Sequence, residues 1–160
     1  MQRLAILSLG SSVEPRREYL ENAVTALRLD PDMTLFGYSH IYETTPVGGV
    51  AQNLFYNQCV SVLTELEPHE LLHRLQKIEL DNGRTRDTHW ADRTLDIDIL
   101  IYEGHEINDA ELTIPHPEML KRKFVLAPLA DMMTPEYRIK GEPVGELLAK
   151  ITSCEEVSAL

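Results

Sequence analysis

Apolar residues recur two apart at Leu95, Ile97, Ile99 and Ile101, the repeat of an extended strand with one buried face. Elsewhere the spacing is helical. Leu20, Ala23, Val24 and Leu27 stand at i, i+3, i+4 and i+7, and Leu71, Leu72, Leu75 and Ile78 form a second such stripe. The opening LAILSL reads as a short buried strand ending at Gly10, with Ser11 and Ser12 as caps for the first helix. A strand is predicted over 35–43, followed by the loop Thr44-Thr-Pro-Val-Gly-Gly-Val50. The β-branched and aromatic run from Phe55 to Leu66 predicts another strand. Pro68 opens the second helix and Gly83 closes it as a C-cap. After the 95–101 strand come a turn at Glu103-Gly104 and the segments LTIPHP and KRKFVLAPL. The order β-α-β-β-α-β predicts a ferredoxin-like α+β sandwich, helices packed on a mostly antiparallel sheet.

The 160 residues suit one domain, residues 1–160 together, with a sizeable core. No apolar run approaches a membrane span, and MQRLAILSLGSS is too short and too strand-like for a secretory signal. Cys59 lies in an apolar run and Cys154 far from it, matching no metal spacing, so reduced thiols and a cytoplasmic location are expected. The net charge of −11 argues against nucleic-acid and acidic-membrane partners. It leaves room for a small anion, because Arg84, Arg86 and Arg93 cluster locally, as do Lys121, Arg122 and Lys123. The second cluster taken alone reads as a solvated patch.

Two patterns carry candidate chemistry. His69-Glu-Leu-Leu-His73 matches the H-E-x-x-H helix of zinc hydrolases. At 100° per residue, however, both histidines fall away from the apolar stripe, and no third ligand follows at a recognised spacing, so exposed helix histidines are expected. The same projection puts Glu79 inside the apolar arc and Gln76 at its edge. Either Glu79 escapes at a frayed helix end or it forms the polar wall of a pocket, since unpaired burial is costly.

The second pattern is WADRTLDIDIL, residues 90–100. Asp96 and Asp98 occupy the strand face opposite the apolar one, about 7 Å apart. At an effective dielectric of 20 they repel by roughly 2 kcal/mol. Hard Mg²⁺ would relieve that repulsion, and two carboxylates on one face can support a pair of ions on a polyphosphate. Arg84, Arg86 and Arg93 would meet phosphate oxygens, and Trp90 offers a flat face to a heterocycle. The same residues can equally be read as an ion-pair cluster at a strand end.

RTLDIDIL following a Trp resembles the signature of the 6-hydroxymethyl-7,8-dihydropterin pyrophosphokinase family of folate biosynthesis. The likeness extends along nearly the whole chain: the opening strand with Gly-Ser, Tyr42-Glu-Thr-Thr-Pro46 with Gly48, Phe55-Tyr-Asn57, Gln76-Lys-Ile-Glu79, Gly83-Arg-Thr-Arg86, Pro115-His-Pro117 and Arg122-Lys-Phe124. The resemblance implies transfer of pyrophosphate from ATP to the pterin hydroxymethyl group, releasing AMP, with two Mg²⁺ on Asp96 and Asp98. It implies that Arg84 and Arg93 act on the phosphates in the transition state and that Arg86, His116 and Arg122 also contact phosphate. Gln76, Glu79, Ile99 and Pro117 would lie near ATP, chiefly its nucleoside end, and Trp90 would contact both ATP and the pterin. Phe55 and Phe124 would stack the pterin, Asn57 would read its edge, and Thr44, Thr45 and Val47 would add backbone contacts.

Thr45 stands where proline is frequent in the family, Phe55 where tyrosine is, and Ala91-Asp92 replaces Gly-Pro. None of these changes removes a metal ligand. A monomer is expected, and loops before Phe55 and around Trp90 are expected to close over substrates. The alternative is a non-catalytic nucleotide- or pterin-binding module on the same fold.

Overall fold

A computed structural model describes residues 1–45, 54–83, 94–118, 121–151 and 156–160. The chain runs β1 (Arg3–Ser11), α1 (Arg16–Leu29), β2 (Met33–Tyr38), β3 (Tyr42–Thr45), β4 (Phe55–Thr64), α2 (Pro68–Asp81) and β5 (Asp96–Tyr102). It continues through β6 (Ile107–Asn108), β7 (Thr113–Ile114), α3 (Lys123–Met133), β8 (Arg138–Ile139), β9 (Glu142–Pro143), α4 (Val144–Ala149) and β10 (Glu156–Ala159). The main sheet has the order β10-β3-β4-β1-β5, with β2 also pairing β4, and these pairings are antiparallel. With β2 and β3 counted as two halves of one strand beside β4, this is the predicted β-α-β-β-α-β sandwich.

The sheet separates two apolar clusters. On one side Leu7, Leu9, Val60, Val62, Ile97 and Ile99 pack against Leu20, Ala23 and Leu27 of α1 and Leu71, Leu75 and Ile78 of α2. On the other, Ile6, Cys59 and Leu100 meet Val125, Leu126 and Leu129 of α3. Both helices on the first side are amphipathic along the stripes read from the sequence. Tyr102 is fully buried, and its hydroxyl donates to the Leu66 carbonyl at 2.5 Å, fastening β5 to the segment that leads into α2.

Three local expectations need correction. The strand predicted over 35–43 is two strands, because Ser39 turns the chain: its N–H donates to Cys59 O at 2.8 Å, and its Oγ accepts the Cys59 N–H at 2.9 Å. Ser11 and Ser12 do not cap α1. Ser11 completes β1, and α1 begins at Arg16 behind Pro15. Finally, β5 carries a register shift opposite Ile6 and Leu7, so Ile99 pairs with Leu7 while Ile101 pairs with Ile6. Leu100 is the extra residue, and Tyr102 instead of Ile101 continues the face shared with α1 and α2. The α2 expectations hold. Glu67 and Glu70 form a capping box around Pro68, and Gly83 has the positive φ of 84° that a residue just past a helix end adopts.

Candidate active site

Directly opposed residues of antiparallel strands project from the same face. Asp96 stands opposite Gly10, and Gly10 opposite Asn57, so one row crosses β5, β1 and β4. Asp98, Ser8 and Cys59 form the row beneath, and Thr44 opposite Phe55 forms a partial third. The two half-buried aspartates therefore share the face that α3 covers farther along, away from α1 and α2. Gly10 lets the row close up. A Cβ there would come within 3.1 Å of Asn57 Oδ1, so the missing side chain is what allows the buried amide to approach the β1 backbone beside Asp96. Asn57 is buried, and its Nδ2 donates to Thr44 Oγ1 at 2.9 Å, which fixes which way the amide faces.

Glu79 resolves the choice left by the helix projection. It is 5% exposed, and its Oε2 accepts the Ile97 N–H at 2.8 Å. The ladder turns that N–H off the open edge of the sheet, so a helix carboxylate finishes the strand's hydrogen bonding between the two aspartates. Gln76 lies half-buried one turn earlier. The Ile99 side chain belongs to the core on the α1 and α2 side, so this residue can meet a ligand only through its backbone on the open edge.

That edge also receives the Pro-His segment. His116 N–H donates to Leu100 O at 2.8 Å, directly after the cis Ile114-Pro115 bond. Its Nδ1 accepts the Glu118 N–H at 3.2 Å, which leaves Nε2 as the protonated nitrogen of the neutral ring. Burial pushes the His116 pKa down, against the opposing pull of the Glu118 and Asp96 carboxylates. Pro117 is exposed. At the start of α3 the exposed Arg122 guanidinium lies 5.7 Å from the centre of the half-buried Phe124 ring. Phe55 is 39% exposed at the start of β4.

Arg84, Arg86, Trp90, Arg93 and Val47 lie outside the described residues, as do Cys154 and both expected closing loops. Thr45 is described as the last residue of β3 but not as a side chain. Cys59 is a buried thiol whose pKa burial raises, as befits an inert core residue. The H-E-x-x-H histidines do not converge on a metal. His69 Nε2 pairs with Asp109 at 2.8 Å and His73 Nε2 with Glu111 at 3.0 Å, so each clamps the β6–β7 connection to α2. Two residues escaped the sequence reading. Gly10 was legible only as the end of an apolar run and as part of the Gly-Ser pair of the resemblance, not as a neighbour of Asn57. Arg16 stacks 4.8 Å over the Tyr56 ring and donates to the Leu54 carbonyl, holding the chain just ahead of Phe55.

The sequence model of the 7,8-dihydro-6-hydroxymethylpterin-pyrophosphokinase family matches residues 6–134. A 2-amino-4-hydroxy-6-hydroxymethyldihydropteridine pyrophosphokinase of Bacillus subtilis (strain 168) is 44% identical over 132 residues, covering 82% of this chain and 79% of that protein. The bifunctional protein FolKE of Lactococcus lactis subsp. cremoris (strain MG1363) is 39% identical over 150 residues, and the match covers 94% of this chain but 43% of that protein. A crystal structure of Plasmodium falciparum HPPK-DHPS with pteroate superposes with a TM-score of 0.73 at 18% identity, over 94% of this chain and 42% of that one. The chain thus spans less than half of these two larger proteins, and the 18% likeness speaks for the fold alone.

Proposed function

The chain belongs to the 7,8-dihydro-6-hydroxymethylpterin-pyrophosphokinase family, and from that premise we propose that it transfers pyrophosphate from ATP to 6-hydroxymethyl-7,8-dihydropterin, releasing AMP. The observation that supports the proposal is the row Asn57, Gly10, Asp96, which sets a buried amide and a carboxylate on one sheet face with a residue of no side chain between them. Residues 1–160 act as one domain in this reading. A monomer in the cytoplasm agrees with the acidic charge and the buried, reduced Cys59. Among the described residues no helix is long and apolar enough to cross a membrane.

Asp96 and Asp98 suit Mg²⁺ by their chemistry: two hard oxygen donors on one strand face, with backbones held by Gly10 and Ser8. Among the described residues no group of three His, Cys, Asp or Glu could hold a metal. Two carboxylates suit Mg²⁺ ions that would take their remaining ligands from triphosphate and water. When bound, Mg²⁺ supplies charge neutralisation on the phosphates.

The protein's own task is placement. Asn57 and Thr44 orient the pterin edge, with Phe55 and Phe124 against its faces. Thr45 and Val47 add backbone contacts, and Trp90 borders both substrates. The hydroxymethyl oxygen is held in line with the β-phosphorus, where the new O–P bond forms as the bond to the bridging oxygen of AMP breaks. Glu79 holds β5 in register under the phosphates. His116, neutral and donating through Nε2, reaches a phosphate oxygen, as do Arg84, Arg86, Arg93 and Arg122. Gln76, Ile99 and Pro117 border the nucleoside.

The test is AMP release from ATP, Mg²⁺ and the reduced hydroxymethylpterin. No AMP under conditions where both substrates bind would sink the reading. Asp96→Ala and Asp98→Ala are each expected to cut turnover by about a hundredfold or more, with melting temperature retained. Near-wild-type turnover in either variant would remove the metal assignment.

A further inference from the structure

The family match ends at residue 134, and β10 lies beyond it. Yet β10 is built into the sheet. It pairs antiparallel with β3, placing Glu156 opposite Thr45, Val157 opposite Thr44, Ser158 opposite Glu43 and Ala159 opposite Tyr42. The bond from the Leu160 N–H to the Ile41 carbonyl, 2.9 Å, sets the alternation of that ladder. Ser158 then exchanges its hydrogen bonds with Glu43, and Val157 faces Thr44 in a non-hydrogen-bonded pair, the arrangement that brings side chains closer together.

Thr44 is thereby flanked on one sheet face. Val157 stands on its outer side, and on its inner side its hydroxyl receives the Asn57 amide at 2.9 Å. Threonine has two heavy atoms on Cβ, so its χ1 rotamer decides whether hydroxyl or methyl points inward. A half-buried apolar neighbour on the outer side favours the rotamer that turns the methyl out and the hydroxyl toward Asn57.

We propose that β10 positions the Asn57–Thr44 pair for the pterin, with Val157 as the residue that sets the Thr44 rotamer. The proposal rests on the pterin reading of Asn57 given above. Without β10 the Glu43 backbone loses its partners, β3 becomes an edge, and Thr44 is free to turn. Glu79, Asp96, Asp98 and His116 sit beyond β1 and should not register the loss.

The experiment compares Val157→Asp, Val157→Ile and deletion of residues 156–160 in the otherwise full chain. It measures pterin KM, kcat at saturating pterin, and the Kd of a non-hydrolysable ATP analogue with Mg²⁺. Val157→Asp and the deletion are expected to raise pterin KM about tenfold, the effect of one misdirected hydrogen bond. ATP-analogue affinity and kcat stay near wild type, and Val157→Ile matches wild type throughout. Unchanged pterin KM in Val157→Asp overturns the proposal, and so does parallel loss of pterin and ATP affinity, which marks a merely structural strand. If the deletion does not fold, the point variants decide. If the wild type makes no AMP, the reaction assignment fails, while calorimetric pterin binding to the same variants still tests the role of β10.

Discussion

A carboxylate buried to 5% exposure would be costly alone, and Glu79 is tolerated because the Ile97 N–H donates to it. Replacing it by leucine leaves that N–H without its acceptor. Glu79→Leu is expected to lower stability by about 1–3 kcal/mol and to reduce turnover with it, because Ile97 lies between Asp96 and Asp98. Glu79→Gln keeps an acceptor and should lose less of both. Urea unfolding beside AMP assays checks the pair, and equal losses in the two variants would show that charge, not hydrogen bonding, is what matters. At Gly10 a steric effect competes with a conformational one. Alanine in a strand interior is ordinarily worth roughly 0.5–1 kcal/mol over glycine, but here its Cβ would press on Asn57 Oδ1. Gly10→Ala is expected to raise pterin KM several-fold while leaving the melting temperature unchanged or higher. Unaltered KM would mean that the Asn57 amide tolerates the crowding without losing its part in pterin binding. The inward aim of Glu79 could be read from helix periodicity. The role of Gly10 could not, because a missing side chain matters only through the residue across the ladder.

The second helix shows how an element can carry a motif without its chemistry. His69 and His73 face outward, as the 100° projection requires, and the tertiary fold supplies acidic partners from the β6–β7 hairpin. Asp109 is the hairpin's pivot. The N–H groups of Leu112 and then Glu111 hold its carboxylate below its ordinary value of 3.8, and His69 adds to the effect. A carboxylate depressed in the folded state contributes stability that is present above its ordinary value and lost as the pH falls through its folded value. Asp109→Ala should therefore melt below wild type at neutral pH, with the gap narrowing in acid. Melts across that range check it, and a constant gap would rule out the linkage. The β5 strand teaches a different lesson. Its two-residue alternation was legible from Leu95 to Ile99, but the bulge at Leu100 was not. Leucine and isoleucine look alike to a periodicity argument, and only pairing with β1 shows which of them is extra.

Across the whole molecule, the sheet divides labour between its faces. One is closed by α1 and α2 and holds most of the core, and the other carries α3 together with the polar rows. That division follows from side-chain alternation, so the sequence by itself determined which residues of β5 are core and which lie on the polar face, up to the bulge. It determined the two helices, the antiparallel sandwich and the motifs that point to a family, because these depend on local periodicity and on residue types in order. The tertiary structure alone decided the rest. It split the strand predicted over 35–43 at Ser39, placed Gly10 between Asn57 and Asp96, gave Glu79 its partner and brought β10 beside Thr44. Each of these joins residues far apart in the chain through strand register, and register is set by which strands become neighbours, a property that no local stretch of sequence contains.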